Sequence, residues 1–189
     1  MVVDVQNDFC SGGALAVAEG DQVAAVLSEY AARFAAAGLP VIATRVWNPA
    51  RTSNLKDFGG IWPVHCVQNT FGAEFHPALR ISPAAVVVSK GSAADVDSYS
   101  GFDGVDANGA SLAALLRAAA VEDIFIGGLA TDYCVKQTAL DGLNYGFGVV
   151  LLLDAMRGVD LAPGDAARAL DEMQRAGARQ LAAIGELRL

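Results

Sequence analysis

Residues 124–135 are Ile-Phe-Ile-Gly-Gly-Leu-Ala-Thr-Asp-Tyr-Cys-Val, an apolar run followed by glycines and then by polar residues. The pattern predicts a buried strand from Ile124 to Gly127 and then a helix, for which Thr131 and Asp132 are suitable N-cap residues. Cys134 falls one turn into that helix. Ligands of a parallel sheet bind outside the carboxyl ends of its strands, so we expect Cys134 to lie at a binding site.

The same alternation of short apolar runs and amphipathic stretches extends along the chain in both directions. It predicts a single domain over residues 1–189, an α/β fold of three layers (αβα) with a Rossmann-like parallel sheet of about six strands. The other predicted strands are Val2–Val5, Val41–Trp47, Val86–Lys90, Phe147–Leu153 and a weak one at Gln180–Ile184. The other predicted helices are Asp21–Ala37, one capped by Asn108, and one from Pro163 to near Gly177.

Two stretches between these elements show little periodicity. Residues 48–83 run through Gly, Pro, Asn and Thr, and residues 91–107 form a second irregular stretch. The first is too long for a plain connection, which predicts an excursion with a functional role.

The composition excludes several classes of protein. Of 189 residues, 53% are hydrophobic and 18% charged, with 21 acidic against 13 basic side chains and a net charge of -8, which excludes intrinsic disorder. Nucleic acids and anionic membranes need clustered Lys and Arg, so we expect neither as a partner and expect a small molecule instead.

Three cysteines do not make a disulfide framework, and no leader or membrane span is recognisable, so we expect a cytoplasmic protein. Its alanine-rich helices are compatible with a homo-oligomer.

Three reactive side chains fall near strand ends: Asp4, Lys90 and Cys134. A helix N-terminus and a nearby lysine lower a cysteine pKa from about 8.5 to roughly 3.5–7.5, so we expect Cys134 to be a nucleophile. Asp4 would carry a proton to a leaving nitrogen, and Lys90 would hold Asp4 and offset its charge. Any one of these residues taken alone is more often structural.

Four separated segments make the pattern specific. They are residues 4–9 (Asp-Val-Gln-Asn-Asp-Phe), residues 60–68 (Gly-Ile-Trp-Pro-Val-His-Cys-Val-Gln), residues 98–102 (Ser-Tyr-Ser-Gly-Phe) and residues 128–135 (Gly-Leu-Ala-Thr-Asp-Tyr-Cys-Val). Together the chain resembles the nicotinamidase and pyrazinamidase branch of the isochorismatase-like hydrolases over essentially its whole length. The resemblance implies an isochorismatase-like fold and a catalytic triad of Asp4, Lys90 and Cys134. True isochorismatases lack the cysteine, so its presence favours the amide-cleaving branch.

The resemblance also implies a mechanism. A cis peptide before Ala130 would turn the backbone amides of Ala130 and Cys134 toward the reacting carbonyl, where they would form the oxyanion hole. The Cys134 thiolate would attack an amide carbon, and Asp4 would protonate the departing ammonia or amine. Water activated by Asp4 would then hydrolyse the thioester.

The expected substrate pocket differs from that of the nicotinamidase branch, because most of the residues that would bind that branch's metal are missing. Phe9, Trp62 and Tyr99 match the aromatic pocket walls of the family. Nicotinamidases carry a metal held by an Asp-x-His segment and by the His of a Trp-Pro-x-His segment. This chain has Val46 and Asn48 in the first segment, and only His65 remains in the second. One imidazole does not hold a divalent ion against water, so we expect no metal and no other cofactor, with Val46, Asn48 and His65 lining the substrate pocket.

Several functions stay open. The family's metal binds the ring nitrogen of nicotinamide, so its loss favours a metal-independent amidohydrolase of another small amide or lactam, for example one similar to streptothricin hydrolases. The first alternative is a nicotinamidase or pyrazinamidase with an atypical metal site, and the second is an inactive binding protein. His65 would be a hydrogen-bond donor to substrate or a satisfied loop histidine, with the second favoured.

Three further residues are predicted to have no part in chemistry. Cys10 and Cys66 have no base or cation at suitable spacing, which predicts inert buried thiols. His76 precedes a proline in a short turn and is expected at the surface or as a cap.

Overall fold

The computed structural model describes residues 1–94 and 97–189. Six parallel strands form one sheet in the order β3-β2-β1-β4-β5-β6. The parallel α/β fold predicted from the sequence is confirmed. The strands are β1 (Val2–Val3), β2 (Ile42–Val46), β3 (Val86–Lys90), β4 (Asp123–Leu129), β5 (Gly148–Arg157) and β6 (Arg179–Leu181).

Helices cover both faces of the sheet. Helix α1 (Gln22–Ala36) packs on one face, where its buried side chains share a core with Val2 of β1. Helices α2 (Leu112–Ala118), α3 (Lys136–Asn144) and α4 (Asp165–Arg175) contribute to a second core, which contains Val3. Adjacent residues of a strand point to opposite faces, so Val2 and Val3 belong to different cores and the layers number three.

The irregular segment between β2 and β3 covers the α1 side of the sheet edge. Among the described residues it holds two short 3-10 turns, Lys56–Phe58 and Phe71–Ala73, and no longer element. Gln6 fastens it to the end of β2, because its side-chain amide donates to the carbonyls of Val46 and Ala73, each at 2.8 Å. The predicted excursion is confirmed. Asp95 and Val96, within the second irregular stretch, lie outside the described residues.

Several element ends differ from the prediction. Strand β1 stops at Val3 because Asp4 adopts a left-handed backbone, with a φ of 49°. Strand β4 extends to Leu129, past the two glycines. Strand β6 is Arg179–Leu181, and the residues predicted to end it enter a 3-10 turn at Ile184–Glu186.

Two predicted helix caps are wrong. Ser111, not Asn108, caps α2: its hydroxyl accepts a hydrogen bond from the Ala114 amide at 3.3 Å. Neither Thr131 nor Asp132 caps the helix that carries Cys134. Asp132 instead accepts hydrogen bonds from two amides of the loop after β5, so tertiary contacts override its local preference.

None of the helices in residues 1–94 and 97–189 has the length and apolarity needed to cross a bilayer.

Candidate active site

The structure brings Asp4, Lys90 and Cys134 together at the carboxyl edge of the sheet. The Lys90 ammonium lies 2.8 Å from Oδ2 of Asp4 and 3.1 Å from Sγ of Cys134. Asp4 and Lys90 are almost fully buried, whereas Cys134 lines a cleft that opens at this edge. The thiol is therefore the member of the triad that a ligand in the cleft can reach.

The end of β1 fixes the position of the Asp4 carboxylate. The left-handed backbone of Asp4 turns the chain out of the strand, a conformation rare for a residue with a side chain. The Thr44 hydroxyl of β2 donates to Oδ1 of Asp4 at 2.6 Å. One carboxylate oxygen thus binds a neutral hydroxyl and the other binds the ammonium, which holds the carboxylate in one orientation.

Lys90 is the last residue of β3, and its ammonium is surrounded by acceptors. Besides Asp4 and Cys134, it donates to the carbonyl of Tyr99 at 2.6 Å and to that of Ser98 at 3.3 Å. Burial by itself lowers the pKa of Lys90, but the Asp4 carboxylate and the hydrogen bonds of the ammonium to Asp4 and Cys134 together outweigh burial and leave the pKa above its ordinary value. The ammonium is therefore charged throughout the physiological pH range.

The state of the Cys134 thiol differs from the prediction. The pKa of this thiol is raised from 9.0 to about 12 overall: burial is the largest cause, Lys90 lowers the pKa and Asp4 raises it. The predicted lowering is wrong for the resting protein, because a thiolate would place a second anion beside Asp4 with a single ammonium between them. Cys134 rests as a thiol, and it can become a thiolate when its proton passes to Asp4.

The backbone around Cys134 departs from a regular α-helix, and one amide beside the thiol is free to act as a donor. The peptide bond between Leu129 and Ala130 is cis, as the resemblance implies, and Cys134 lies in a π-helical turn, Thr131–Val135, before α3. Within residues 1–94 and 97–189, the Ala130 amide donates to no protein acceptor, so it remains available to a ligand oxygen.

Aromatic side chains form much of the cleft wall. The indole of Trp62 donates to the Tyr99 hydroxyl at 2.9 Å. Tyr133 completes the group, with its ring 5.1 Å from Trp62 in an edge-to-face arrangement and 5.7 Å from Tyr99. On another part of the wall, the Phe9 ring lies 5.6 Å from His65. Flat aromatic walls of this kind suit a planar ligand.

Five of the six predicted substrate contacts line the cleft: Phe9, Val46, Trp62, His65 and Tyr99. The sixth, Asn48, does not. Its buried side chain donates to the His65 carbonyl at 3.1 Å, so it supports the loop that carries the histidine.

His65 is a neutral loop histidine in this structure. Burial lowers its pKa, and Nδ1 lies 2.8 Å from the Pro63 carbonyl, which can only accept. Nδ1 therefore carries the proton, and Nε2 keeps a lone pair. This arrangement supports the interpretation as a satisfied loop residue over that of a donor to substrate.

Sequence reasoning missed other lining residues, chiefly Tyr133 and Asn54. Tyr133 immediately precedes Cys134, so its position next to the nucleophile was a usable signal. Asn54 lies in the aperiodic excursion, where nothing in the sequence predicts which side chains face inward. Its Oδ1 is buried and has no hydrogen-bond partner in the described part of the chain.

Comparison with known proteins gives a consistent result. The isochorismatase domain family matches residues 1–184. The chain belongs to the isochorismatase family. It is 41% identical to a nicotinamidase of Escherichia coli, covering 94% of this chain and 91% of that protein. It is 42% identical to a nicotinamidase/pyrazinamidase of Mycobacterium tuberculosis, covering 93% and 94%.

A solved structure agrees with the sequence matches. The pyrazinamidase of Pyrococcus horikoshii in complex with zinc superposes with a TM-score of 0.88 at 44% identity, covering 95% of this chain and 96% of that one. This member of the isochorismatase family is thus an amidohydrolase, acting on carbon–nitrogen bonds other than peptide bonds.

The residues present do not fit the metal that the isochorismatase family's nicotinamidases carry. Val46 has no lone pair. The Asn48 amide donates to the His65 carbonyl, and its Oδ1, buried without a hydrogen-bond partner in the described residues, is a neutral amide oxygen that suits zinc or iron poorly. His65 belongs to no group of three clustered His, Cys, Asp or Glu side chains among the described residues. Metal independence stays a prediction.

Proposed function

We propose that the protein hydrolyses small planar aromatic carboxamides, of which nicotinamide and pyrazinamide are the first candidates, to a carboxylate and ammonia. The observation that carries the proposal is the contact of one ammonium with both a carboxylate and a thiol beside an aromatic cleft. The names of the most similar relatives support the same substrate class.

In the proposed mechanism, the Cys134 proton passes to Asp4 as sulfur attacks the amide carbon. The carbonyl oxygen becomes negative and is bound by the Ala130 and Cys134 amides, donors that are each worth roughly a hundred- to thousand-fold in rate. The carbon–nitrogen bond then breaks, and Asp4 returns the proton to the leaving nitrogen, which departs as ammonia. A thioester remains on Cys134. Water that gives its proton to Asp4 cleaves the thioester and releases the carboxylic acid, and Asp4 then returns that proton to the Cys134 sulfur.

The cleft favours a single ring over a large antibiotic. The cavity volume open to the centre of a water-sized probe is about 40 Å³, so the cleft is narrow. Trp62, Tyr99 and Tyr133 lie around it within ring-contact distance of each other. The comparisons and this volume therefore favour the nicotinamidase alternative over the lactam hydrolase that the sequence placed first.

We assign recognition of the ring nitrogen to Asn54. Its side chain lines the same cleft as His65, and its amide has a buried oxygen with no partner in the described residues. The amide group can rotate to present its NH2 to an acceptor. Neutral His65 cannot take this part, because its Nε2 and the ring nitrogen are both acceptors.

The test compares nicotinamide with benzamide, which has the same shape without the ring nitrogen. We expect ammonia release from both, with kcat/KM up to about tenfold higher for nicotinamide, the value of one hydrogen bond. Asn54→Leu should remove this preference and leave kcat on benzamide unchanged. Chelator should leave the rate of ammonia release by the native enzyme unchanged.

Ammonia release from neither amide would contradict the proposed function. A preference that survives in Asn54→Leu would contradict only the assignment of Asn54. Loss of activity on chelation, restored by zinc, would contradict metal independence and indicate an atypical metal site.

Two parts of the proposal concern the whole protein. The three cysteines are all free thiols, which supports a reducing, cytoplasmic location. The compatibility of the helices with a homo-oligomer stays a prediction, for which sedimentation velocity is the test.

A further inference from the structure

A second cluster of reactive side chains lies outside the triad. The thiol of Cys10, a carboxylate oxygen of Asp21 and a ring nitrogen of His76 all lie within 4.8 Å of one another. None of the three lines the catalytic cleft. The mechanism uses none of them, and the sequence predicted Cys10 and His76 to have no chemical role.

Three separate segments of chain meet at this cluster, which holds its members in place. Cys10 follows the turn after β1, Asp21 directly precedes α1, and His76 belongs to the excursion between β2 and β3. The Ser11 amide donates to Asp21 Oδ1 at 2.6 Å, and the His76 amide donates to the Val5 carbonyl at 2.9 Å. One bond to a side chain and one between main-chain groups therefore connect the three segments independently of any ligand.

The charges at the cluster are not balanced by protein cations. No lysine or arginine pairs with Asp21 among the residues that the structure describes. Burial and the Asp21 carboxylate raise the pKa of Cys10 to about 12. The carboxylate therefore disfavours a thiolate here unless a cation joins them.

We propose that Cys10, Asp21 and His76 bind one zinc ion through sulfur, carboxylate oxygen and imidazole nitrogen. A thiolate, an imidazole and a carboxylate together form a donor set that suits zinc better than magnesium or calcium. Tetrahedral zinc with bonds of about 2.0–2.3 Å separates its ligands by roughly 3.3–3.7 Å, so the side chains need to close in by about 1.5 Å at most. Binding releases the thiol proton.

The burial pattern leaves one coordination position for water. Cys10 is 1% exposed, whereas Asp21 and His76 are half-buried. The ion can thus enter from the side of the carboxylate and the imidazole. Three protein ligands and a water are a stable arrangement for zinc. The bound ion would join the start of α1 to the loop that carries Phe9, a wall residue of the cleft.

The test is zinc binding by the full chain after chelator treatment and removal of the chelator. With zinc chloride added, we expect about one equivalent to remain after dialysis and the melting temperature to rise. Cys10→Ser and Asp21→Asn should each weaken zinc binding at least about tenfold. Asp21 is partly exposed, so Asp21→Asn keeps the test valid if Cys10→Ser fails to fold.

Matched variants show whether zinc has gone to the catalytic cleft instead. Cys66→Ser removes another buried thiol, and His65→Gln and Cys134→Ser remove donors of the cleft; all three should retain the zinc. Cobalt chloride should give a thiolate-to-cobalt absorption band that Cys10→Ser loses and Cys66→Ser keeps. The proposal is overturned if the native chain retains no zinc, or if Cys10→Ser and Asp21→Asn bind it as well as the native chain.

Discussion

Lys90 shows most clearly how a single side chain organises the site. It is 1% exposed and the largest of the almost fully buried side chains. Its ammonium is tolerable there because Asp4, Cys134 and two carbonyls accept its hydrogen bonds. A buried ion pair of this kind contributes little net stability, but removal of one partner leaves the other charge unpaired. Its retention thus fits a role in the reaction.

We predict that Lys90→Met lowers the free energy of unfolding by about 3–5 kcal/mol, because Asp4 would stay buried without its cation. The double variant Asp4→Asn/Lys90→Met should recover much of that loss and remain inactive. Urea unfolding measures both changes. If Lys90→Met alone is as stable as the native protein, the ion pair is not buried in solution as the structure shows.

At this scale the sequence predicted identities better than chemical states. Asp4, Lys90 and Cys134 could be found because each follows a strand and lies in or near a recognisable segment. The raised pKa of Cys134 could not, since it depends on burial and on the distance to Asp4, which only the folded chain sets. Asn54 escaped notice for the same reason.

The strands and helices place these residues through their ends. Asp4, Lys90 and Cys134 follow or close β1, β3 and β4, three strands of one parallel sheet, so they meet at one edge. The apolar runs predicted where the strands lie. The ends of the strands and helices were harder to predict. A turn such as that at Asp4, or a tertiary hydrogen bond such as that of Asp132, competes there with the local preference of the sequence.

The corrected cap of α2 gives a prediction. Ser111→Ala should lower the free energy of unfolding by about 1 kcal/mol, because the Ala114 amide loses its acceptor. Asn108→Ala is the matched control. Among the residues that the structure describes, its side chain bonds only to Asp106 in the preceding exposed turn, so we expect a change within about 0.5 kcal/mol. Thermal unfolding of both variants measures these changes. Equal losses of unfolding free energy in the two variants would contradict the assignment of the cap to Ser111.

For the molecule as a whole, the single domain over residues 1–189 stays a prediction, supported by one sheet that contains all six strands. The fold class could be predicted because strand and helix periodicities alternate along the chain. The path of the excursion between β2 and β3 could not be predicted. It is held by contacts distant in sequence, such as those of Gln6 with Val46 and Ala73.

Stability should fall in alkali. The pKa of Cys134 rises from 9.0 to about 12 on folding, so between these values the native state keeps a proton that the unfolded state releases. Its stabilising contribution is complete below pH 9 and is lost as the pH rises toward 12, by about 1.4 kcal/mol per pH unit. Cys134→Ala should make the decline shallower in melts from pH 8 to 11. An unchanged slope would show that the thiol titrates normally.

The most direct test of the account is to capture the intermediate on Cys134. Acid quenching during turnover of nicotinamide or benzamide, followed by peptide mass spectrometry, should find the acyl group on the peptide that contains Cys134. Cys134→Ala should show neither adduct nor ammonia release, while Cys66→Ser should show both. Turnover that persists in Cys134→Ala, or an acyl group on any other residue, would contradict the central claim that this thiol performs the hydrolysis.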